Sequence, residues 1–250
     1  NGNGTTTLNF NNVEMNVTGS GIHNTGSGTV SLNTTGSNTI FANSDVGRTT
    51  VGHGIYTTGN KGTVNVIASA TYKPGKEYST LDTKTGYDNI IYGQKGGISS
   101  TAAGTKNVVA DNNNYIGGGV AVNSESKHNT TEDIINIIAG NNNFIGYNDE
   151  NKNIDEYGNN YATGTGIRLQ MVKNVKVNIE SIKGATTIDA DGNGINVNAK
   201  GENVAVTVEA GTDITINAGN SGISVGNYDK NVTNDDAKVE LIAENGNIKV

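Results

Sequence analysis

Tyrosine is the residue type in this chain best placed to touch a ligand. Seven of the ten tyrosines (Tyr72, Tyr78, Tyr87, Tyr92, Tyr147, Tyr157 and Tyr161) fall in or beside two polar, irregular stretches, 68–89 and 147–163. A tyrosine ring offers an apolar face to a sugar and a hydroxyl to hydrogen-bond it. The chain has no Trp and three Phe, so an aromatic platform here is built mainly from tyrosine. The same rings could instead fold back and pack their own loops. Lys73, Lys76 and Lys84 in the first stretch and Asp149, Glu150, Asp155 and Glu156 in the second differ in charge sign.

Other groups suggest chemistry less strongly. Asp189-Ala190-Asp191-Gly192-Asn193-Gly194 resembles the opening of a calcium loop, with carboxylates at alternate positions before a glycine turn. Lys200 stands where such a loop needs a bidentate Glu, so a turn is the simpler reading, and no cofactor beyond a weak calcium possibility is expected. His23 and His53 flank successive Gly-Ile pairs and could approach each other, but with His128 they are the only histidines, and a zinc site needs further ligands. The two arginines, Arg48 and Arg168, are far apart in sequence, and the acid pairs Asp189/Asp191 and Asp235/Asp236 sit on turn-like segments. No clustered acid and base residues emerge, and an enzyme is not expected.

These residues are carried by a repeating frame. A Gly-Ile or Gly-Val pair recurs at 21–22, 54–55, 97–98, 119–120, 166–167, 194–195 and 222–223. Ile167, Ile195 and Ile223 follow one another at a spacing of 28 residues. Each pair is followed by an alternating aliphatic run, such as Val175-Lys176-Val177-Asn178-Ile179 or Val204-Ala205-Val206-Thr207-Val208, and then by a lone Ile. Period-two alternation of β-branched residues is a strand signal. Three short strands per unit, with Gly and Asn at the turns, predict one solenoid coil of three sheets, repeated about seven times. Stacked coils would pile like residues into ladders, asparagine among them. Extra residues would leave as insertions near 68–89, 123–133, 147–163 and 226–236. The pattern is under way at Asn1 and at Val250, so residues 1–250 are expected to form a single domain cut from a longer repetitive protein.

Composition narrows the function classes. The chain has 35 Gly, one Pro, no Cys and only 16% charged residues, with a net charge of -7. No basic stripe is present to neutralise phosphates, so nucleic acid is not an expected partner. No apolar run approaches the ~18 residues that span a bilayer, so membrane insertion by this segment is not expected. The absence of Cys suits a chain that crosses an envelope unfolded.

The Gly-Ile anchors, Val-x-Val-x-Val strands and Asn-x-Ile closures, most regular over residues 164–250, resemble the passenger regions of bacterial autotransporter adhesins and the filamentous-haemagglutinin type of exoprotein. The resemblance implies an all-β, right-handed parallel β-helix displayed on the outer membrane or secreted. It also implies cell adhesion, and with it biofilm formation or virulence. The expected partner is a host or bacterial cell-surface glycan or protein. Self-association through Asn/Thr-rich faces in autoaggregation or biofilm, an inert spacer role and, last, a polysaccharide-degrading β-helix enzyme are the alternatives. The motifs are architectural, and no binding residue carries over from the family.

Overall fold

The computed structural model describes residues 3–43, 52–59, 61–74, 76–125, 132–146, 164–200, 203–227 and 237–250. Among them the only helical element is a single 3-10 turn, Tyr78–Thr80; the rest of the regular structure is β-strand. Every strand pair is parallel, because each strand pairs with its counterpart in the next unit of chain. The first strands of successive units form one eight-stranded sheet in sequence order. They are Thr5–Phe10, Thr29–Thr34, Gly62–Ala68, Gly104–Ala110, Asp133–Ala139, Val175–Ser181, Val204–Ala210 and Ala237–Ala243.

The second and third strands of the units form two further rows, and these rows are joined. Asn89–Ser100 and Asn114–Ser124 each run through both, with a register break between Gly118 and Val120. The result is one 13-stranded sheet in place of two separate ones. The eighth first-row strand, Ala237–Ala243, adds a further partial unit to the seven marked by glycine pairs.

Side chains inside the stack follow the register. Leu32, Val66, Val108, Ile137, Ile179 and Val208 line up along the first row. Ile40, Ile91, Ile116, Ile145, Ile188 and Ile216 do so along the second. Ile22, Ile55, Ile98, Val122, Ile167 and Ile195 do so along the third. All are buried, each worth about 1.5–3 kcal/mol of transfer free energy. The apolar interior thus grows by a few aliphatics per unit, and no unit could bury them alone.

The recurring glycine has a steric cause. A Cβ at Gly54 would lie 2.5 Å from Cγ2 of Ile91, the closing isoleucine of the next unit, and 2.8 Å from the carbonyl oxygen of Gly97. Gly166 meets Ile188 at 2.6 Å, and Gly97 meets Ile116 at 2.7 Å, in the same way. One expected pair sits differently in the structure. Gly119-Val120 is two residues early: Val122 aligns with Ile98 and Ile167, and Ala121 takes the glycine's place.

Where the chain turns back into the first row, Lys61, Asn174 and Asn203 adopt positive φ of 65°, 53° and 59°. Asparagine tolerates that region better than most residues, and Asn203 Nδ2 also donates to Asn174 Oδ1 at 3.0 Å. Between the first and second rows runs a fully buried amide ladder. Asn38 donates to Asn89, Asn89 to Asn114 and Asn114 to Asn143, each at 2.9 Å. Asn143 ends the ladder on Ser181 Oγ at 3.0 Å and on the Glu180 carbonyl at 2.7 Å.

Gly54→Ala is expected to lower stability by about 1–3 kcal/mol through overpacking against Ile91. Gly226→Ala, where a Cβ meets nothing within 4 Å, should stay within about 0.5 kcal/mol of the parent. Thermal or denaturant unfolding of the two variants checks the difference; equal stabilities would contradict the steric account.

Candidate functional site

The insertion between Ala68 and Asn89 folds back over the outer face of the first sheet. Its organiser is Asp111, which directly follows the Gly104–Ala110 strand and is fully buried. Asp111 accepts from Ser69 Oγ at 2.6 Å, Ala70 N at 3.2 Å, Asp82 N at 3.1 Å and Thr85 Oγ1 at 3.2 Å. Ser69 Oγ in turn accepts from Tyr72 N at 2.9 Å. Thr71 Oγ1 donates to the Thr80 carbonyl at 2.6 Å, closing the loop on itself.

Tyr72 and Leu81 bury against Ile67, Val109 and Ile138, with Tyr78 and Ile182 packed at the edge. These five residues form a second small core outside the main one. The Tyr72 and Tyr78 rings stack with centroids 5.4 Å apart. Beside them opens a cleft of about 490 Å³ lined by Tyr72, Lys76, Glu77, Tyr78 and Asn107. Lys76 and Glu77 are exposed and Tyr78 is half-buried.

Asn107, which lines the cleft, belongs to a second amide ladder. Asn65 donates to Ser31, Asn107 to Asn65, Asn136 to Asn107 and Asn178 to Asn136, each at 2.8 Å. Each bond uses one amide hydrogen, so Asn107 retains a second N–H beside the tyrosines. Burial first, then the neighbouring Tyr72 phenol and the Glu180 carboxylate, push Tyr78 up to about 12. Tyr78 is therefore a neutral hydroxyl across the ordinary pH range. Burial, followed by Glu209 and Glu244, raises Glu180 as well. The cleft thus combines ring faces, a phenol, an amide, one cation and one anion, a set suited to hydroxyl-rich ligands.

The other expected tyrosines fall elsewhere. Tyr87 is half-buried, with its backbone N–H 3.4 Å from Thr85 Oγ1. Tyr92 lies in a strand of the second row, buried, with its ring 6.2 Å from that of Phe41. Neither lines the cleft. Tyr147, Tyr157 and Tyr161 lie outside the described residues, as do His128, Arg48 and the acidic residues of the second insertion.

Two aromatic groupings were not expected from sequence. Tyr115 stacks on Phe144 at 4.9 Å, because parallel register places them side by side. Tyr56 is sandwiched between His23 at 4.9 Å and His53 at 4.6 Å. His23 and His53 do approach each other, with Tyr56 between them. Among the described residues no three His, Cys, Asp or Glu side chains converge as a metal site. Asp189 Oδ1 accepts from Asn217 Nδ2 at 2.7 Å beside a shallow cavity of about 420 Å³. Arg168 bonds Asn123 and Glu125, each at 3.0 Å.

His53 yields a pH prediction. Its pKa is lowered from 6.5 to about 4, first by burial, then by Lys95 and His23, with Glu125 opposing. Because the folded value is the lower one, the unfolded chain takes up the proton first as pH falls. The stability that neutral His53 provides is complete above pH 6.5 and lost as pH drops towards about 4. The unfolding free energy of the parent should therefore fall across that window more steeply than that of His53→Phe, as read by denaturant titrations at each pH. Identical slopes would refute the assignment.

No family model, curated protein or solved structure matches the chain.

Proposed function

We propose that this chain is a segment of a bacterial surface-displayed or secreted adhesin, a right-handed parallel β-helix that holds out the Tyr72–Tyr78 cleft to bind cell-surface glycans. One observation carries the reading: two stacked tyrosines, Lys76, Glu77 and a laddered Asn107 line one open cleft on a loop pinned by a buried carboxylate. A rigid frame with a recognition loop limits the ordering cost of binding. The parallel, unit-by-unit strand pairing supports the helical winding. The cysteine-free, weakly charged composition supports passage through an envelope. Among the described residues no helix is long and apolar enough to cross a membrane. Many weak copies on one surface supply avidity.

A second reading has its own observation. The Asn107–Asn136–Asn178 ladder faces outward with spare amide hydrogens, a surface that a second copy could meet with matching amides.

Glycan-array screening and calorimetry of the hit separate the readings. Tyr78→Ala should weaken binding by about tenfold or more, corresponding to ~1.4 kcal/mol, with the circular dichroism spectrum unchanged. Tyr78→Phe should lose less, because it keeps the ring. Absence of any glycan hit, together with concentration-dependent dimers abolished by Asn136→Asp, would favour self-association.

A further inference from the structure

Lys106 lies at an inward position of the Gly104–Ala110 strand, where its neighbours in register are Val64 and Ile135. Its side chain is fully buried, as is that of Asp133, whose Oδ1 it contacts directly through Nζ. Three further groups complete the cluster. Lys106 Nζ donates to Ser100 Oγ at 2.7 Å and to the Ala102 carbonyl at 3.3 Å. Ser100 Oγ donates to the same Ala102 carbonyl at 2.8 Å and accepts from Thr57 Oγ1 at 3.1 Å. Ser124 Oγ donates to Asp133 Oδ2 at 2.8 Å.

We propose that Lys106 and Asp133 condense to an intramolecular isopeptide bond, a covalent tie between the Gly104–Ala110 and Asp133–Ala139 strands. Two buried charges carry a desolvation cost that their mutual attraction need not recover. An amide at the same place carries no net charge.

The step balances within the pair. The ammonium passes one proton to Oδ1, leaving a neutral amine and a neutral carboxylic acid, with no change in net charge. The Nζ lone pair then attacks Cγ. Charge develops on Oδ2, where the Ser124 hydroxyl already donates. A second Nζ proton moves to Oδ1, the Cγ–Oδ1 bond breaks, and Oδ1 departs as water. No oxidant, reductant or further reactant is involved. Burial lowers the Lys106 pKa against the opposing pull of Asp133, which favours the neutral amine.

The product leaves no polar atom stranded. The remaining amide N–H keeps Ser100 Oγ as acceptor, the amide oxygen keeps Ser124 as donor, and the Ala102 carbonyl keeps the Ser100 hydroxyl. Burial also withholds the water that would reverse the reaction. The chain has no Cys, so no disulfide could supply a comparable tie.

Intact-mass spectrometry of the purified, folded chain tests this directly. The mass is expected to be lighter than that of the sequence by one water. Digestion should give a single branched product joining the peptides that carry Lys106 and Asp133. Lys106→Arg and Asp133→Ala should each restore the full sequence mass, and Ser124→Ala should slow the loss of water. A folded parent at full sequence mass, with the two peptides recovered separately, overturns the proposal. So does a water loss that maps to a succinimide at Asp191-Gly192.

Discussion

In-register parallel stacking is the constraint on which everything else in this structure depends. Each strand pairs with its counterpart in the next unit, so every inward position meets its own equivalent about 4.8 Å away. A residue type is acceptable inside only if it packs on its own kind. Isoleucine does so, as the second row from Ile40 to Ile216 shows. Asparagine does so by donating Nδ2 to the next unit's Oδ1, from Asn38 through Asn143. Glycine leaves room where the next unit's isoleucine presses on the backbone, as Ile91 does at Gly54. A charge cannot stack on itself, and Lys106, between Val64 and Ile135, turns to Asp133 instead.

The same constraint explains what was legible in the sequence. Gly-Ile pairs and alternating aliphatics announced the repeating parallel strands, since each reflects a contact made again in every unit. Gly119-Val120 misled because Gly117, Gly118 and Gly119 are consecutive, and the strand changes register between Gly118 and Val120. Periodicity alone cannot choose among three glycines; Ala121, which accepts the position without being glycine, carries no signal. The fusion of the second and third rows was equally silent, because it depends on the absence of a turn at Gly93–Gly96.

The loop site was half written. Val66-Ile67, Val108-Val109 and Ile137-Ile138 break the alternation, placing an aliphatic on each face of the strand. In register, the outward members Ile67, Val109 and Ile138 are flanked by Asn33 and Glu180. That apolar patch, three strands tall, is the footprint of the Tyr72 loop. The doublets could have revealed that something covers this face. They could not have revealed Asp111, since an aspartate after a strand reads as an ordinary turn residue. Nor could they separate Tyr78, in the cleft, from Tyr92, buried in a strand.

The buried polar groups and the loop occupy the same stretch of the stack. The amide ladder from Asn89 to Asn143 and the Lys106–Asp133 contact lie in the units on which the loop rests. In the following units Ser124 gives way to Leu169 and Asp133 to Val175, and the ladder position passes from Asn143 through Thr186 to Ile214. A ladder of aliphatics keeps much of its packing if one strand slips by two residues, because every second side chain still points inward. Buried amides and an acid–base contact lose their partners on such a slip, leaving unsatisfied groups that cost about 1–3 kcal/mol each. Register is therefore most strongly specified beneath the loop, where Ile67 and Ile138, on the strands either side of the one that carries Asn107 and leads into Asp111, must align with it for the cleft to exist at all.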